Sequence, residues 1–255
     1  MTMLEARNLT MQFGGLTAVS QFNLTLSQGD IVGLIGPNGA GKTTVFNCLT
    51  GMYVPTSGEI HVLGKRVDGL SPHQITRLGM ARTFQNIRLF KDLTVFDNIR
   101  IAFHYQAQYN LASAILRLPT FRREEQSISE KTNALLEIFG LYDHRHEIAS
   151  SLPYGDQRRL EIARALAANP KILLLDEPAA GMNPYETQEL TTLIQWVKDE
   201  FELTVFLIEH DMRLVMGLCQ RILVLDYGVT IAEGTPREIQ SNAVVVQAYL
   251  GEEAL

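Results

Sequence analysis

Cysteine is scarce in this sequence of 255 residues, which contains only Cys48 and Cys219. Both lie among apolar neighbours, so the sequence predicts two buried, reduced thiols rather than a disulfide or a metal site. An excess of basic charge is also lacking, because 22 Lys and Arg residues stand against 28 Asp and Glu residues and give a net charge of −6. The sequence therefore offers no general positive field that would favour nucleic acid.

Long apolar runs are missing as well. No stretch reaches the roughly 18 apolar residues that a membrane-spanning helix needs. The first ten residues, MTMLEARNLT, place Glu5 where an export signal would be basic and then apolar, so we expect the chain to stay in the cytosol. Hydrophobic residues make up 46% and charged residues 20%, a globular composition with enough apolar material for one large α/β domain or a core with a smaller lobe.

The apolar patterns predict an α/β fold. LEARNLTMQF and AVSQFNLTLS alternate apolar and polar residues, as half-solvated antiparallel strands do. DIVGLIG is almost continuously apolar and indicates a central parallel strand, followed by a predicted helix over 42–50 and a short strand in GEIHVLG. LTVFLIE and RILVLD indicate buried strands on either side of a short helix that begins at Asp211. We expect a mostly parallel sheet covered by helices on both faces, with a separate antiparallel layer.

Helical periodicity dominates the middle of the chain, from about Val95 to Leu141, and is least regular over 104–130. Further on, Asn183 and Pro184 form an N-cap and first-turn pair, which predicts a helix over 184–200. The predicted inward residues of that helix are Leu190, Leu193, Ile194 and Val197.

Residues 36–43 match the phosphate-loop motif G-x-x-x-x-G-K-[ST] and lie directly between a predicted strand and a predicted helix. Glycines at 36, 39 and 41 let backbone N–H groups point inward around phosphate at a helix N-terminus. Lys42 would place its charge on the outer phosphates, and Thr43 would offer a hydroxyl to Mg²⁺. A glycine-rich turn without a ligand is the alternative. The predicted nucleotide-binding residues of this segment are Gly36, Pro37, Asn38, Gly39, Ala40, Gly41, Lys42, Thr43 and Thr44.

Two acids end the buried strand KILLLDEP. Ligands of parallel sheets bind outside the carboxyl ends of the strands, so Asp176 and Glu177 should face the same rim as the phosphate loop. Asp176 would hold Mg²⁺ through its water shell opposite Thr43, and Glu177 would orient and polarise the attacking water. The alternative is helix capping by both acids, with Pro178 fixing the turn.

The ordered motifs resemble the ATP-binding subunit of an ABC transporter along nearly the whole chain. Gln85 in RTFQNIRLF matches the Q-loop glutamine of that family, a third candidate Mg²⁺ ligand, and His210 in LIEHD matches its switch histidine, which would contact the γ-phosphate. Phe13 in MQFGG falls where the family has an aromatic that stacks on adenine, and AAGMNP matches the D-loop. Taken singly, His210 could equally be a capping or core residue and Phe13 a core residue.

The signature departs from the family pattern L-S-G-G-Q. The segment LPYGDQRRLEIARAL has Leu152, Pro153, Tyr154, Gly155 and Asp156 in those places. The resemblance implies that this segment, Gly155 above all, contacts the γ-phosphate of the ATP held by a second subunit. Proline removes a hydroxyl and an N–H, and Asp156 adds negative charge, so we expect the composite site with this signature to be the weaker of two in a heterodimer. Harmless sequence drift in a working signature is the alternative.

Five segments are similar to those of the first ATPase of branched-chain amino-acid importers: FGGLTAV, PNGAGKTTVFNCLTG, YGDQRRLEIARAL, DEPAAGMNP and the tail YLGEE. The resemblance implies a P-loop NTPase (RecA-like) fold that hydrolyses ATP with Mg²⁺. It also implies one ABC ATPase domain over 1–255, with a nucleotide-binding core formed by 1–85 and 170–255 and a helical signature subdomain over 86–169.

The same resemblance implies a second ABC ATPase subunit, two transmembrane permease subunits and, indirectly, an exported solute-binding protein as partners. The chain would then lie on the cytoplasmic face of the plasma membrane, attached through the permeases. Leu89 and Phe90 would be exposed and form part of a groove for a permease helix, with plain core packing as the alternative. Remaining alternatives are an importer of another small polar solute such as urea, a non-hydrolysing regulatory module, and an ABC ATPase acting on nucleic acid or ribosomes.

Overall fold

The computed structural model describes residues 1–104, 114, 116 and 118–250. The described residues divide into two compact units, which we call the core unit, Met1–Gln85 with Lys171–Leu255, and the insert unit, Asn86–Pro170. The irregular region predicted over 104–130 lies partly outside the described residues, and its described end belongs to a helix that begins at Pro119.

The core unit contains two sheets. The antiparallel sheet has the strand order β2-β1-β4-β5, and the larger sheet has the order β10-β9-β3-β8-β7-β6, parallel throughout except that β10 is antiparallel to β9. The strands are β1 Thr2–Phe13, β2 Leu16–Ser27, β3 Ile31–Ile35, β4 Ser57–Val62, β5 Lys65–Arg66, β6 Met80–Arg82, β7 Ile172–Asp176, β8 Thr204–Ile208, β9 Arg221–Asp226 and β10 Val229–Gly234. The predicted parallel sheet and separate antiparallel layer are both confirmed.

The described helices of the core unit connect these strands. They are α1 Lys42–Leu49 and α2 Pro72–Arg77, and, in the order of the chain after the insert unit, α6 Pro184–Glu200, α7 Met212–Leu218, α8 Pro236–Gln240 and α9 Ala243–Leu250. The insert unit is helical, with α3 Val95–His104, α4 Pro119–Ile138 and α5 Tyr154–Leu166, and two short 3₁₀ turns at Tyr142–His144 and Ala149–Ser151.

Helix α1 contacts both sheets of the core unit. It touches β1 and β2 of the antiparallel sheet and β7 of the larger sheet. Val45, Phe46 and Leu49 are fully buried, and the Phe46 ring stacks on Phe206 of β8 with centroids 5.1 Å apart. Each such buried side chain contributes roughly 1.5–3 kcal/mol. This apolar anchoring fixes the N-terminus of α1, and with it the phosphate loop.

Helix α6 begins as the sequence predicts. The Asn183 side chain accepts hydrogen bonds from the N–H groups of Tyr185 and Glu186, and the Glu186 carboxylate accepts one from the Asn183 N–H, which completes a capping box. The predicted inward face is confirmed at Leu190, Ile194 and Val197. It is wrong for Leu193, which is only partly buried because it lies at the edge of the apolar stripe.

Candidate nucleotide site

The phosphate loop, residues 36–43, follows β3 and ends in the first turn of α1. Gly36 and Gly41 are required by the close approach of other strands as well as by backbone angle, and Gly39 by its φ of +76° alone. Gly41 has φ +101°, and a Cβ there would lie 2.5 Å from the Ala18 carbonyl oxygen; at Gly36, with φ +149°, it would lie 1.9 Å from that of Leu225. The loop is therefore held between β2 and β9, and it leads into the first turn of α1, where helix N–H groups can bind an anion.

Lys42 crosses this loop. Its Nζ donates hydrogen bonds to the carbonyl oxygens of Gly36 and Pro37 at 2.6 and 2.7 Å, and the residue is 8% exposed. A buried ammonium in contact with two carbonyl oxygens supplies positive charge at the mouth of a nest of N–H groups, a setting that suits phosphate oxygens. Thr43 is exposed and Thr44 partly buried in the same turn.

Asp176, the last residue of β7, is nearly buried and is paired with Arg82 of β6. Arg82 Nη2 lies 2.6 Å from Asp176 Oδ2, and Arg82 Nη1 donates to Asn47 Oδ1 and Thr50 Oγ1 of the α1 region at 2.8 and 3.0 Å. The guanidinium also lies over the rings of Phe46 and Phe84. Sequence reasoning missed Arg82, because 94 residues separate it from the carboxylate that it holds.

Glu177 comes together with two other predicted residues. Gln85 Nε2 donates to Glu177 Oε2 at 2.8 Å, and His210 Nδ1 lies 3.5 Å from the same oxygen. The Glu177 N–H donates to the Ile208 carbonyl oxygen at 2.9 Å, and Glu177 has φ +45°, a left-handed value that few non-glycine residues adopt. The geometry therefore brings Gln85, Glu177 and His210 to one point at the carboxyl ends of β7 and β8.

A further carboxylate, Glu209, lies directly behind His210 and is fully buried. Its Oε1 accepts from the Ala179 N–H at 2.7 Å, and its Oε2 accepts from the N–H groups of His210 and Asp211 at 2.9 and 3.1 Å. Burial, together with the negative charge of Glu209, raises the pKa of the Cys219 thiol to about 12. The sequence predicted a role for His210 in LIEHD but not for the acid before it, Glu209.

Phe13 lies at the end of β1 and is 43% exposed, which favours the prediction of a base platform over that of a core residue. Its ring meets the ring of Tyr53 edge to face, with centroids 5.4 Å apart and planes at 80°. Tyr53 is itself 38% exposed. The two rings make a small apolar surface of the kind on which a nucleobase stacks.

The signature segment forms the start of α5 in the insert unit. Pro153 is the N-cap residue, and the helix begins at Tyr154 with Asp156 in its first turn. A proline at the N-cap cannot offer the capping hydroxyl that a serine would. Its missing N–H does not weaken the helix end, because the four N–H groups without an intrahelical partner belong to the residues that follow it. A Cβ on Gly155 would meet no atom within 4 Å, so open space lies beside this N-terminus within the insert unit.

The segment after the Q-loop is held inside the insert unit by buried polar side chains. Glu161 of α5 accepts from the Arg88 N–H at 3.0 Å, and buried Asn98 of α3 bonds both backbone groups of Phe90. Phe90 is 48% exposed, as predicted. Leu89 is only 9% exposed, so the prediction of exposure is wrong for this residue and the alternative of core packing applies.

The residues present fit a magnesium nucleotide. Among the described residues no cluster of three or more His, Cys, Asp or Glu side chains suits a transition metal. Oxygen donors from a hydroxyl, an amide and a carboxylate, at Thr43, Gln85 and Asp176, are the kind that Mg²⁺ takes beside phosphate oxygens. Both cysteines are free and buried, which confirms the predicted buried, reduced thiols, and burial raises the pKa of the Cys48 thiol to about 11.

Comparison with known proteins shows which family the chain resembles. A family model described as ABC transporter matches residues 19–180, and one described as branched-chain amino acid ATP-binding cassette transporter matches residues 229–254. The chain is 51% identical over 250 residues, 98% of each chain, to the high-affinity branched-chain amino acid transport ATP-binding protein LivG of Escherichia coli strain K12. It is 49% identical over 249 residues, again 98% of each, to the corresponding protein BraF of Pseudomonas aeruginosa.

Among solved structures, the chain is similar to the ADP conformation of an ATP-binding cassette of an ABC transporter, with a TM-score of 0.85 at 28% identity, covering 98% of this chain and 99% of that one. Because 98% of this chain is covered, the likeness includes residues of both units. The chain therefore belongs to the ABC transporter family of ATP-binding cassette proteins.

Proposed function

We propose that this chain is the ATP-binding and ATP-hydrolysing subunit of an importer of branched-chain amino acids. The observation that carries the proposal is the meeting of Gln85 and His210 on the carboxylate of Glu177 at the strand ends beside the phosphate loop. The transport function printed for LivG and BraF supports the choice of solute. The core unit would be the nucleotide-binding core, and the insert unit the helical signature subdomain.

ATP would bind with its phosphates in the nest of residues 36–44 and its base against Phe13. Lys42 would exchange its two carbonyl partners for phosphate oxygens, since an ammonium gains more from a charged acceptor than from a neutral one. Thr43, Gln85 and Asp176 would hold Mg²⁺, which when bound neutralises charge on the outer phosphates. Asp176 can do so with the oxygen that Arg82 does not engage.

Glu177 would act as general base or orient the attacking water, and His210 would hydrogen-bond the outer phosphate. In the structure the Gln85 amide donates to one oxygen of the Glu177 carboxylate, and release of that bond would leave both oxygens to water and the Gln85 amide oxygen to Mg²⁺. His210 is 62% exposed on the same rim, where its ring can reach a nucleotide. Charge that develops on the phosphoryl group would be met by Lys42, His210 and the N–H groups of the loop.

A second ABC ATPase subunit would complete the site. The start of α5 carries the positive end of the helix dipole and the N–H of Gly155, which suits contact with the γ-phosphate held by the partner. Asp156 lowers that positive potential, so we propose a heterodimer in which the composite site containing this signature is the weaker one. Equal loss of turnover from Glu177→Gln here and from the equivalent change in the partner would contradict this asymmetry.

The chain would attach to the cytoplasmic face of the membrane through two permease subunits, with an extracytoplasmic binding protein delivering the solute. Among the described residues no helix is long and apolar enough to cross a bilayer. Exposed Phe90, fixed through its backbone by Asn98 and with its ring within 5.6 Å of the Arg164 guanidinium, offers an apolar contact for a permease helix.

The test is ATP-driven uptake by the complete transporter in proteoliposomes, with leucine, isoleucine and valine as substrates and urea as the competing small polar solute. Glu177→Gln should bind ATP normally and lower turnover roughly 10²–10⁴-fold, the usual contribution of a general base. Glu186→Gln, the same chemical change in the capping box of α6, should leave uptake unchanged. Normal hydrolysis by Glu177→Gln would refute the site, and uptake of urea but not leucine would refute the solute.

A further inference from the structure

We propose that Glu209 is a positioning residue for ATP hydrolysis, which ties the loop after β7 to the switch loop after β8 and so sets the place of His210 relative to Glu177. The inference rests on the proposed function of His210 and Glu177. It adds a fully buried residue to which none of the motifs above gives a role.

The first argument is the partition of its hydrogen bonds. Oε1 of Glu209 accepts a hydrogen bond of 2.7 Å from the N–H of Ala179, which lies 30 residues away in the D-loop. Oε2 accepts hydrogen bonds from the N–H groups of His210 and Asp211 at 2.9 and 3.1 Å. One carboxylate thus bonds backbone of both loops, and the distance between the two loops is limited by the span of that single group.

The second argument is that helix capping does not account for Glu209. Helix α7 already has its own N-cap in Asp211, whose side chain accepts from the Arg213 N–H at 2.9 Å. The N–H groups that Glu209 accepts belong to residues before the helix and to a different loop. A fully buried carboxylate is costly unless it makes several strong hydrogen bonds, and Glu209 makes three, divided between the backbones of two loops.

The third argument is the location of the two bonded loops. Ala179 lies two residues after Glu177, and His210 directly follows Glu209, so the carboxylate connects the backbones beside both proposed reacting groups. His210 Nδ1 is 3.5 Å from Glu177 Oε2 and 3.8 Å from Glu209 Oε2. The same imidazole nitrogen therefore lies within 4 Å of two carboxylates, that of the partly buried Glu177 and that of the fully buried Glu209.

Glu209→Gln is the sharpest test, because it keeps the shape and removes one acceptor. A glutamine amide has one acceptor oxygen and one donor nitrogen, so it cannot accept from the Ala179 N–H and from the His210 and Asp211 N–H groups at once. One loop must move away. We expect turnover per nucleotide site in the assembled transporter to fall roughly 10- to 100-fold, as for other groups that orient a reacting side chain. ATP affinity should stay within about threefold, because Glu209 is fully buried and bonds the backbone of Ala179, His210 and Asp211, which lie outside the phosphate loop.

Counting nucleotide sites separates positioning from instability. Bound ATP per complex, measured by equilibrium dialysis, gives the number of competent sites, and a merely destabilised variant loses sites rather than turnover per site. The matched control is Glu186→Gln at the start of α6, where the glutamine oxygen can still accept from the Asn183 N–H, so this variant should preserve both quantities. If Glu209→Gln does not fold, Glu209→Asp, which keeps the charge and is one methylene too short to reach both loops, should show the same selective loss of turnover.

Turnover per site within about twofold of the unsubstituted chain, or a parallel loss of ATP affinity, would overturn the proposal. Glu177→Gln and His210→Ala are assayed in the same preparation, so that the two levels of the argument separate. If those variants are inactive and Glu209→Gln is fully active, only the positioning role fails. If all three hydrolyse ATP normally, the proposed site itself is wrong.

Discussion

Arg82 offers the strongest test of how the core unit supports the proposed metal ligand. Its side chain is 8% exposed and that of Asp176 is 5% exposed, so the ion pair of 2.6 Å between them is almost entirely removed from water. Arg82→Met keeps most of the side-chain volume and leaves Asp176 as a buried charge without its cation. Removing one partner of a buried pair costs roughly 3–5 kcal/mol, which exceeds anything expected from the lost packing over Phe46 and Phe84.

The assay is thermal and urea-induced unfolding of the full chain followed by circular dichroism. For a chain of this size each kcal/mol moves the melting temperature by about 2–4 °C, so the change should lower it by roughly 6–20 °C. Adding Asp176→Asn should recover more than half of the loss, because the uncompensated charge is then gone. Arg66→Met is the matched control, since Arg66 makes two ion pairs, with Glu59 and Asp68, while remaining 57% exposed, and its loss should not shift the melting temperature measurably.

A drop in stability of less than about 1 kcal/mol for Arg82→Met would refute this reasoning, since it would mean that water reaches Asp176 and screens its charge. Strict additivity of Arg82→Met and Asp176→Asn would refute it equally, because coupled partners in direct contact must show an interaction energy.

Three further predictions follow from the same geometry. Phe13→Ala should weaken ATP binding by about 1–3 kcal/mol, the stacking contribution of a base on an aromatic ring, and unchanged affinity in a direct binding assay would return Phe13 to a structural role. Asn183→Ala should destabilise the chain by roughly 0.5–2 kcal/mol in urea titration, since α6 would lose its cap, and no change would contradict the capping box. Cys48 and Cys219, with thiol pKa values of about 11 and 12, should resist iodoacetamide at pH 8 in the folded chain and react fully in urea, as mass spectrometry can establish; rapid labelling of folded protein would contradict their burial.

The parts of the fold that the sequence predicted are those with a strong local pattern. The apolar run of β3, the phosphate-loop glycines and the Asn183–Pro184 start of α6 each combine a periodicity with a terminating signal, and each appears where it was expected. Strand β6, Met80–Arg82, was not predicted, because three residues are too short to show a period. Its place at the edge of the sheet depends on pairing with β7, which is a long-range contact.

Candidate site residues could be named from the residues alone at Lys42, Asp176 and Glu177, which lie in the phosphate-loop motif and at a strand end. Gln85 and His210 could be named only from the resemblance to the ABC transporter ATP-binding subunit, and the structure brings Gln85, Glu177 and His210 together. The supporting contacts could not be named, because they join residues far apart in the chain whose types are common. The 94 residues between Arg82 and Asp176 and the 30 between Ala179 and Glu209 give no periodic or spacing signal that a single sequence could reveal.

Glu177 also shows where local preference and chemistry disagree. A left-handed φ of +45° at a glutamate costs free energy relative to glycine, and the following Pro178 further restricts the backbone of residue 177. Glycine would relieve that strain, so folding alone does not explain a glutamate here. The strain is held by the N–H bond to Ile208 on the neighbouring strand and by the bond that the Ala180 N–H donates to the Glu177 carbonyl oxygen. Strain of this kind, about 1–3 kcal/mol, persists where the surrounding structure over-determines it. What the strained turn gains is a carboxylate directed at Gln85 and His210, on the rim of the sheet where we propose that the nucleotide binds.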